Sequence, residues 1–138
     1  MIVLDSNVLS ETLRPKPSSN VLDWLGSQPV AAVFTTAVTV AEILYGVALL
    51  PDGQRKRSLQ SVVTQILDVG LAGRVLPFDG AAAREYADIA STRRRVGRPI
   101  SVADAQIAAI ARSRGAALAT RNTADFSHCG LDVIDPWL

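Results

Sequence analysis

The sequence predicts an α/β fold in which a parallel sheet of five strands lies between layers of helices. Short apolar runs rich in β-branched residues alternate with longer segments whose apolar residues recur every three or four positions. The segments between successive runs are long enough for right-handed crossovers between parallel strands. A chain of 138 residues is also long enough to bury one sound core, so a single domain is expected over residues 1–138.

The first half of the chain supplies two predicted strands and four predicted helices. MIVLD is a buried strand, and the helix SNVLSETL after it ends at RPKP, because proline disfavours helix in the residue before it. Residues 18–26 form a second short helix, and AAVFTT is the second strand. Two amphipathic helices follow, one over residues 38–50 that ends at PDG and one over residues 54–69 that ends at Gly70.

The second half supplies three more strands and two more helices. RVLPF is the third strand, and Asp79 is expected to cap a helix that continues to about Val96, where GRP interrupts it. The next helix covers residues 101–114 and ends at Gly115, a residue suited to the left-handed backbone of a helix end. AALAT and LDVIDP are the fourth and fifth strands.

Composition and cysteine content narrow the class of protein. The chain is 49% hydrophobic and 20% charged with a net charge of +1, which is typical of a globular domain. Its one cysteine, Cys129, can form no intrachain disulfide, which suits a reducing compartment. The longest uncharged run, residues 24–41, contains Gly26 and Pro29, and no basic leader precedes the first apolar residues. A cytoplasmic protein without a membrane span is expected.

Four acidic residues are predicted to lie at one rim of this sheet. Asp5 closes the first strand and Asp125 follows the fourth. Glu42 and Asp104 are placed in the first turns of the helices after the second strand and before the fourth. Ligands of parallel sheets bind beyond the carboxyl ends of the strands. These four carboxylates are therefore expected to converge on one site.

The chemistry of such a site follows from its donor atoms. Converging carboxylates repel one another and raise each other's pKa unless a cation lies between them. Oxygen donors with no neighbouring histidine or cysteine favour Mg²⁺ or Mn²⁺ over zinc. Such an ion polarises phosphoryl oxygens and acidifies bound water. The sequence therefore predicts metal-dependent hydrolysis of a phosphodiester.

Helix capping is the alternative explanation for Glu42. It stands three residues after Thr39, as in a capping box, where the acid bonds back to the amide of the cap residue. Glu42 also repeats with Tyr45 and Leu49 on one helical face, so its side chain is expected to point toward the interior.

The same alternatives apply to Asp104, with Ser101 as the cap residue and with Ile107 and Ala111 on its helical face. Asp5 ends an apolar strand, and its only structural explanation is as a turn residue that accepts hydrogen bonds from nearby backbone amides. Asp125 is also explained as a turn residue, because aspartate is common in such positions.

Other reactive side chains are assigned no role in catalysis. His128 stands alone in a predicted loop and is expected at the surface. Cys129 has no apparent base to activate it as a nucleophile. The chain also lacks a glycine-rich phosphate-binding loop of either common type.

Four motifs occur in a characteristic order along nearly the whole chain: VLDSNVLSE, TVAEILYGV, SVADAQIAAIA, and LATRNTADF followed by DPW. This set resembles PIN-domain ribonucleases, and more narrowly the VapC-type toxins of toxin–antitoxin pairs in their FitB-like branch, where RP.P and LPFD also recur. The resemblance implies a PIN-like α/β/α fold with a five-stranded parallel sheet. It also implies an acidic site that holds one or two Mg²⁺ or Mn²⁺ ions and cleaves RNA.

The resemblance assigns particular positions to the site. The three core acids of the family match Asp5, Glu42 and Asp104. Polar residues that line or support the family's site match Ser6, Asn7 and Thr120. For the fourth acid, Asp125 fits the more frequent form TRN..DF, whereas some members place an aspartate where this chain has Asn122.

Partners are also implied by the resemblance. The family implies a homodimer and a cognate VapB-type antitoxin, which joins it in a higher assembly. Such an antitoxin binds DNA through its own N-terminal part. Its C-terminal segment lies across the toxin and places a basic side chain among the acids.

Basic residues balance the predicted acidic site. With the four site acids set aside, nine acidic residues remain against 14 Lys and Arg, so the rest of the chain carries a charge of +5. A positive rim around a metal-filled acidic centre suits a phosphate backbone. The residues assigned to RNA contact are Arg93, Arg94, Arg95, Arg98 and Arg121.

Three other functions are weighed against a ribonuclease. A phosphatase or phosphotransferase with Asp5 as nucleophile is disfavoured, because LDSN lacks the second acid of a D-x-D arrangement. A non-catalytic binding module is disfavoured because all three core acids are present. A DNA nuclease is chemically compatible, because nothing in the sequence reads the 2′-hydroxyl.

Overall fold

The computed structural model describes residues 1–138 and contains one sheet of five parallel strands. All four strand pairings are parallel, and the spatial order is β3-β2-β1-β4-β5. The strands are β1 Ile2–Leu4, β2 Val33–Thr36, β3 Val75–Leu76, β4 Ala117–Ala119 and β5 Val133–Ile134. The predicted fold class is confirmed.

Six α-helices connect these strands, as predicted. They are α1 Ser6–Thr12, α2 Ser19–Gly26, α3 Ala37–Ala48, α4 Gln54–Gln65, α5 Gly80–Arg95 and α6 Val102–Ser113. Helix α4 continues as a π-helix over Ile66–Gly70, and 3₁₀ turns cover Val30–Ala32 and Thr123–Phe126. None of the helices combines the length and the hydrophobicity that crossing a bilayer requires.

The predicted helix boundaries are confirmed at two capping residues. The Asp79 carboxylate accepts a hydrogen bond from the Ala82 amide at 3.0 Å at the start of α5. Gly115 follows α6 with φ +65°, a backbone conformation that side chains with a β-carbon adopt at a cost.

The capping box predicted at Thr39 and Glu42 is wrong. Helix α3 begins at Ala37, and the Thr36 hydroxyl caps it by accepting the Thr39 amide at 3.0 Å. Because Thr36 starts the helix, Thr39 lies inside it and Glu42 falls in its second turn rather than its first.

Two hydrophobic clusters make the α/β/α sandwich. One cluster includes Ile89, Ile107 and Leu118, which places α5, α6 and β4 in one core. The other includes Leu4 and Val8 together with buried residues of α2, α3 and α4. Each fully buried aliphatic side chain contributes about 1.5–3 kcal/mol to folding. The helices on both faces hold the short strands in place.

The strand order fixes where a ligand can bind. Strand β1 is central, with β2 on one side and β4 on the other, so the chain reverses its direction of winding between β1 and β4. Crevices at such a switch point, beyond the carboxyl ends of the strands, are the usual ligand sites of open α/β sheets. Asp5 and Thr120 come directly after these two strands.

Candidate active site

Asp5 is the most buried of the four acids, and its carboxylate accepts three hydrogen bonds. It is only 4% exposed, and its backbone N–H donates to the carbonyl of Ala119 on β4 at 2.9 Å. Carboxylate oxygen Oδ1 accepts the Ser6 amide at 2.8 Å, so Asp5 is the N-cap of α1 through the kind of local amide bond that the sequence allowed for it. Oxygen Oδ2 accepts the Thr120 hydroxyl at 2.8 Å and the Asn7 amide group at 3.4 Å. The cap therefore uses one oxygen and leaves the other to a polar network.

Thr120 and Asn7 form that network behind Asp5. The fully buried Thr120 hydroxyl accepts hydrogen bonds from Asn7 Nδ2 and from the Asn122 backbone amide, each at 3.1 Å. Asn7 Oδ1 in turn accepts the Arg121 backbone amide at 3.2 Å. The geometry accords with the supporting role expected of Asn7 and Thr120, while Ser6 contributes its backbone N–H.

Asp104 lies in the first turn of α6 and is half-buried. The Ser101 hydroxyl caps this helix by accepting the Asp104 amide at 3.2 Å. Ile107 and Ala111 on the same face are fully buried, so the expected inward orientation of this face is confirmed. The cap and an inward-facing carboxylate coexist on one helix.

Glu42 lies on a helix face that differs from the predicted one. Tyr45 and Leu49 are 67% and 66% exposed, and Glu42 is exposed as well, so the expectation that this face points inward is wrong. The buried residues of α3 are Thr39, Ile43 and Val47. The buried face of α3 is therefore rotated by about one residue from the face that carries Glu42, Tyr45 and Leu49.

The pKa values of the three core acids show that their charges interact. Burial raises the pKa of Asp5, and the charge of Asp125 raises it further, against hydrogen bonds from Thr120 and Ser6 that lower it. Although Glu42 is largely exposed, partial desolvation raises its pKa, as do the charges of Asp5 and Asp104. The charge of Asp5 therefore disfavours ionisation of Glu42, and the charge of Asp125 disfavours ionisation of Asp5.

Asp104 responds in the same way. Burial raises its pKa, followed by the charge of Asp5 and, more weakly, that of Asp125, whereas its bond to Ser101 and the charge of Arg93 lower it. As the side chains stand, no group of three acidic, histidine or cysteine residues is arranged to hold a metal ion. The acids are close enough for their charges to interact, but their side chains do not converge on one metal-binding position.

Asp125 and Asn122, the two candidates for the fourth site position, differ in how they interact with the other acids. Asp125 lies in the 3₁₀ turn Thr123–Phe126, where it is exposed, and its charge acts on both Asp5 and Asp104. The Asn122 side chain makes no hydrogen bond, and only its backbone amide contacts the network. The geometry favours Asp125 as the fourth acid, and its role as a ligand stays a prediction.

The arginines assigned to RNA contact divide into two groups. Arg94, Arg95 and Arg98 are exposed, and so is Arg121, whose guanidinium lies 5.0 Å from the ring centre of Trp137. Their contact with RNA stays a prediction. The contact between Arg121 and Trp137 could not be predicted from the sequence, because it depends on how the C-terminal segment folds back.

For Arg93, direct contact with RNA is wrong. Its side chain is buried, with 5% of the residue exposed, and it bonds to backbone carbonyls of the protein itself. Cys129 is buried beside it, and burial raises the pKa of this thiol. His128 is exposed, as expected.

A groove of about 700 Å³ opens beside the acids and was not anticipated. Ser6 and Glu42 line one part of it, and Arg14 and Arg55 also line it. Its apolar lining comes from α3, α4 and the segment after α1, at Leu13, Ile43, Val47, Leu50 and Leu59. Of the four acids only Glu42 lines this groove, which combines apolar side chains with two arginines.

Comparison with known families identifies the family to which this fold belongs. The model of the PIN domain family matches residues 2–130, which include all four acids. The chain belongs to the PIN domain family. In this PIN domain, the three core acids and Asp125 fall within the matched range, at the rim where the fold places its crevice.

Relatives of this PIN domain match over almost its whole length. It is 43% identical over 137 residues to the VapC ribonuclease Y4jK of Sinorhizobium fredii, covering 99% of this chain and 98% of that protein. It is also 43% identical to Toxin FitB of Neisseria gonorrhoeae, with 99% of each chain covered. A solved structure of FitAB bound to an IR36 DNA fragment aligns with a TM-score of 0.95 at 43% identity, covering 100% of this chain and 96% of that one.

Proposed function

We propose that this PIN domain is a metal-dependent endoribonuclease and the toxin of a type II toxin–antitoxin pair. The observation that carries the proposal is the group of four carboxylates whose charges interact at the switch point of the sheet. A ribonuclease of the same family, 43% identical over 137 residues, gives the reaction class. The substrate is RNA, and the reaction is hydrolysis of a phosphodiester.

The donor set fits Mg²⁺ or Mn²⁺, as one ion or two. Asp5, Glu42, Asp104 and Asp125 offer carboxylate oxygens, which hard divalent cations prefer. The Glu42 and Asp125 side chains are exposed and make no hydrogen bond, so they are free to move toward the anchored Asp5. When bound, such an ion polarises phosphoryl oxygens and makes water more acidic.

The chain's own residues have two tasks in this reaction. Hydrogen bonds from Ser6 and Thr120 orient the Asp5 carboxylate and favour its ionised form. The exposed arginines, Arg94, Arg95, Arg98 and Arg121, provide positive charge for the phosphate backbone. Arg121 is placed by its contact with Trp137 and by the bond between its backbone amide and Asn7.

The partner we propose is a small DNA-binding antitoxin of the VapB type. FitB is named a toxin, and the aligned FitAB structure contains DNA. The groove beside Ser6 and Glu42 fits a peptide with apolar side chains, because 5 of its 13 lining residues are hydrophobic and one of the four acids, Glu42, lines it. A basic side chain from that peptide would neutralise the carboxylates and block the site. The toxin is expected to form a homodimer and a larger assembly with the antitoxin.

Cleavage by antitoxin-free protein tests the enzyme. With Mg²⁺ or Mn²⁺ the wild type should cut RNA, and EDTA should stop it. Asp5→Asn and Asp104→Asn should lose activity, whereas Asp23→Asn, an exposed aspartate on α2, should retain it. Full activity of both site variants would show that the site is elsewhere.

The same assay separates the other functions. Cleavage of single- or double-stranded DNA in preference to RNA would favour a DNA nuclease. If no RNA is cut under any metal condition while the antitoxin still binds, the protein is a non-catalytic binding module. Phosphate trapped on Asp5 would indicate a phosphotransferase.

A further inference from the structure

Arg93 is a buried cation without a carboxylate partner. It lies in the last turn of α5, where its neighbours Arg94 and Arg95 are exposed while only 5% of Arg93 is. Burying a guanidinium is costly unless its donors are satisfied. The ion pairs of the protein do not include Arg93. Its donors are satisfied in another way.

Its hydrogen bonds join two separate segments of the site. Nε donates to the carbonyl of Arg98 at 2.6 Å, in the loop that leads from α5 into α6. Nη1 donates to the carbonyls of Asp125 at 2.6 Å and Ser127 at 3.1 Å, in and just after the 3₁₀ turn. One planar group with a fixed fork of donors thus links the backbone of Asp125 to the loop before the Asp104 helix.

We propose that Arg93 is a positioning residue of the acidic site, which holds the turn that carries Asp125 in register with the helix that carries Asp104, so that both carboxylates serve one divalent cation. This inference rests on the metal site of the proposed function. The Asp125 side chain has no hydrogen bond of its own, so its location depends on where its backbone is held. Phe126, buried beside it, is the other anchor of this turn.

Mn²⁺ affinity, measured by titration calorimetry without RNA, tests this role. Arg93→Lys keeps the charge but loses the planar fork, and we expect it to weaken Mn²⁺ binding by about tenfold, the lower end of the range for residues that orient metal ligands. Arg93→Gln, which loses the charge and keeps one donor group, is the second variant and should bind at least as weakly. Arg84→Lys, an exposed arginine on the same helix, is the matched control and should bind as the wild type does.

Two further controls separate positioning from general stability. Ile89→Val, one turn earlier on α5 and fully buried, should lower the melting temperature without changing Mn²⁺ affinity. In an Asp125→Asn background, Arg93→Lys should cause little further loss, because the residue acts through Asp125.

Each other outcome overturns the inference. Wild-type Mn²⁺ affinity in Arg93→Lys, or an equal loss with and without Asp125, would show that Arg93 does not act through this acid. Loss of RNA binding in EDTA with unchanged Mn²⁺ affinity would return Arg93 to RNA contact. If neither variant folds, its role is structural. If the wild type binds no Mn²⁺, the proposed metal site is refuted together with the role of Arg93. This result is distinguishable from a failure of the Arg93 inference alone, because it appears in the protein without any substitution.

Discussion

Replacing Thr120 with valine should remove a hydrogen bond that supports the Asp5 carboxylate and should destabilise the protein. Valine has the shape of threonine without its hydroxyl, so the change removes the 2.8 Å bond to the Asp5 carboxylate and the acceptor for Asn7 and the Asn122 amide. A hydrogen bond to a charged group contributes about 1.5–3 kcal/mol, and Thr120 is fully buried, so water cannot replace it. We expect the free energy of unfolding at neutral pH to fall by about that amount.

The same substitution should also change the chemistry of Asp5. The Thr120 bond favours the ionised carboxylate, so its loss raises the pKa of Asp5 further and weakens Mn²⁺ binding by roughly tenfold. Urea denaturation gives the stability, and calorimetric titration at several pH values gives the affinity. Thr120→Ser keeps the hydroxyl and should stay close to the wild type in affinity. Equal affinities for valine and wild type, or equal losses for valine and serine, would refute the reasoning.

Three further expectations concern the site and its scaffold. Without divalent ions, the free energy of unfolding should fall as pH rises from about 4. The pKa values of the core acids are raised in the folded state, so the folded protein holds protons that the unfolded chain has already released. Urea titrations at several pH values should show this fall, and added Mn²⁺ should make the fall smaller. Arg112→Leu should lower the free energy of unfolding by roughly 1–2 kcal/mol, because it removes the ion pairs from α6 to Glu85 and Asp88 on α5. The loss should be smaller in 1 M NaCl, and thermal melts at two salt concentrations test this. Gly115→Ala should lower the free energy of unfolding, measured by urea denaturation, by about 1 kcal/mol, because φ of Gly115 is +65°. Gly46→Ala inside α3 should not destabilise the protein, because nothing lies within 4 Å of the added carbon.

The sequence determined most of the fold because local signals and topology agree. Apolar β-branched runs marked the five strands, and proline, glycine and Asp79 marked helix ends within a few residues. The alternation of strands and helices then required a parallel sheet, whose carboxyl rim gathers the residues that follow each strand. Asp5 and Asp104 could therefore be assigned to one rim from the sequence, whereas Thr120 was assigned by the family resemblance.

Helix faces were less predictable than helix positions. Asp104 and Glu42 have the same kind of spacing with apolar neighbours, yet the face of Asp104 is buried and that of Glu42 is exposed. The reason is that α6 packs against α5 and β4, whereas α3 is covered along the face of Thr39, Ile43 and Val47. Periodicity shows that a helix has an apolar stripe, and tertiary packing decides which of two stripes is covered.

The sequence by itself determined the α/β/α fold and the candidate set of acids, because these follow from short-range patterns and strand order, and the family resemblance added the polar residues around them. Only the tertiary structure decided the role of Arg93. In the sequence it is one of three consecutive arginines, and a charge run is usually a solvated face. In the fold, the last turn of α5 directs this one guanidinium at the carbonyls of two distant segments, a contact set by packing across the chain.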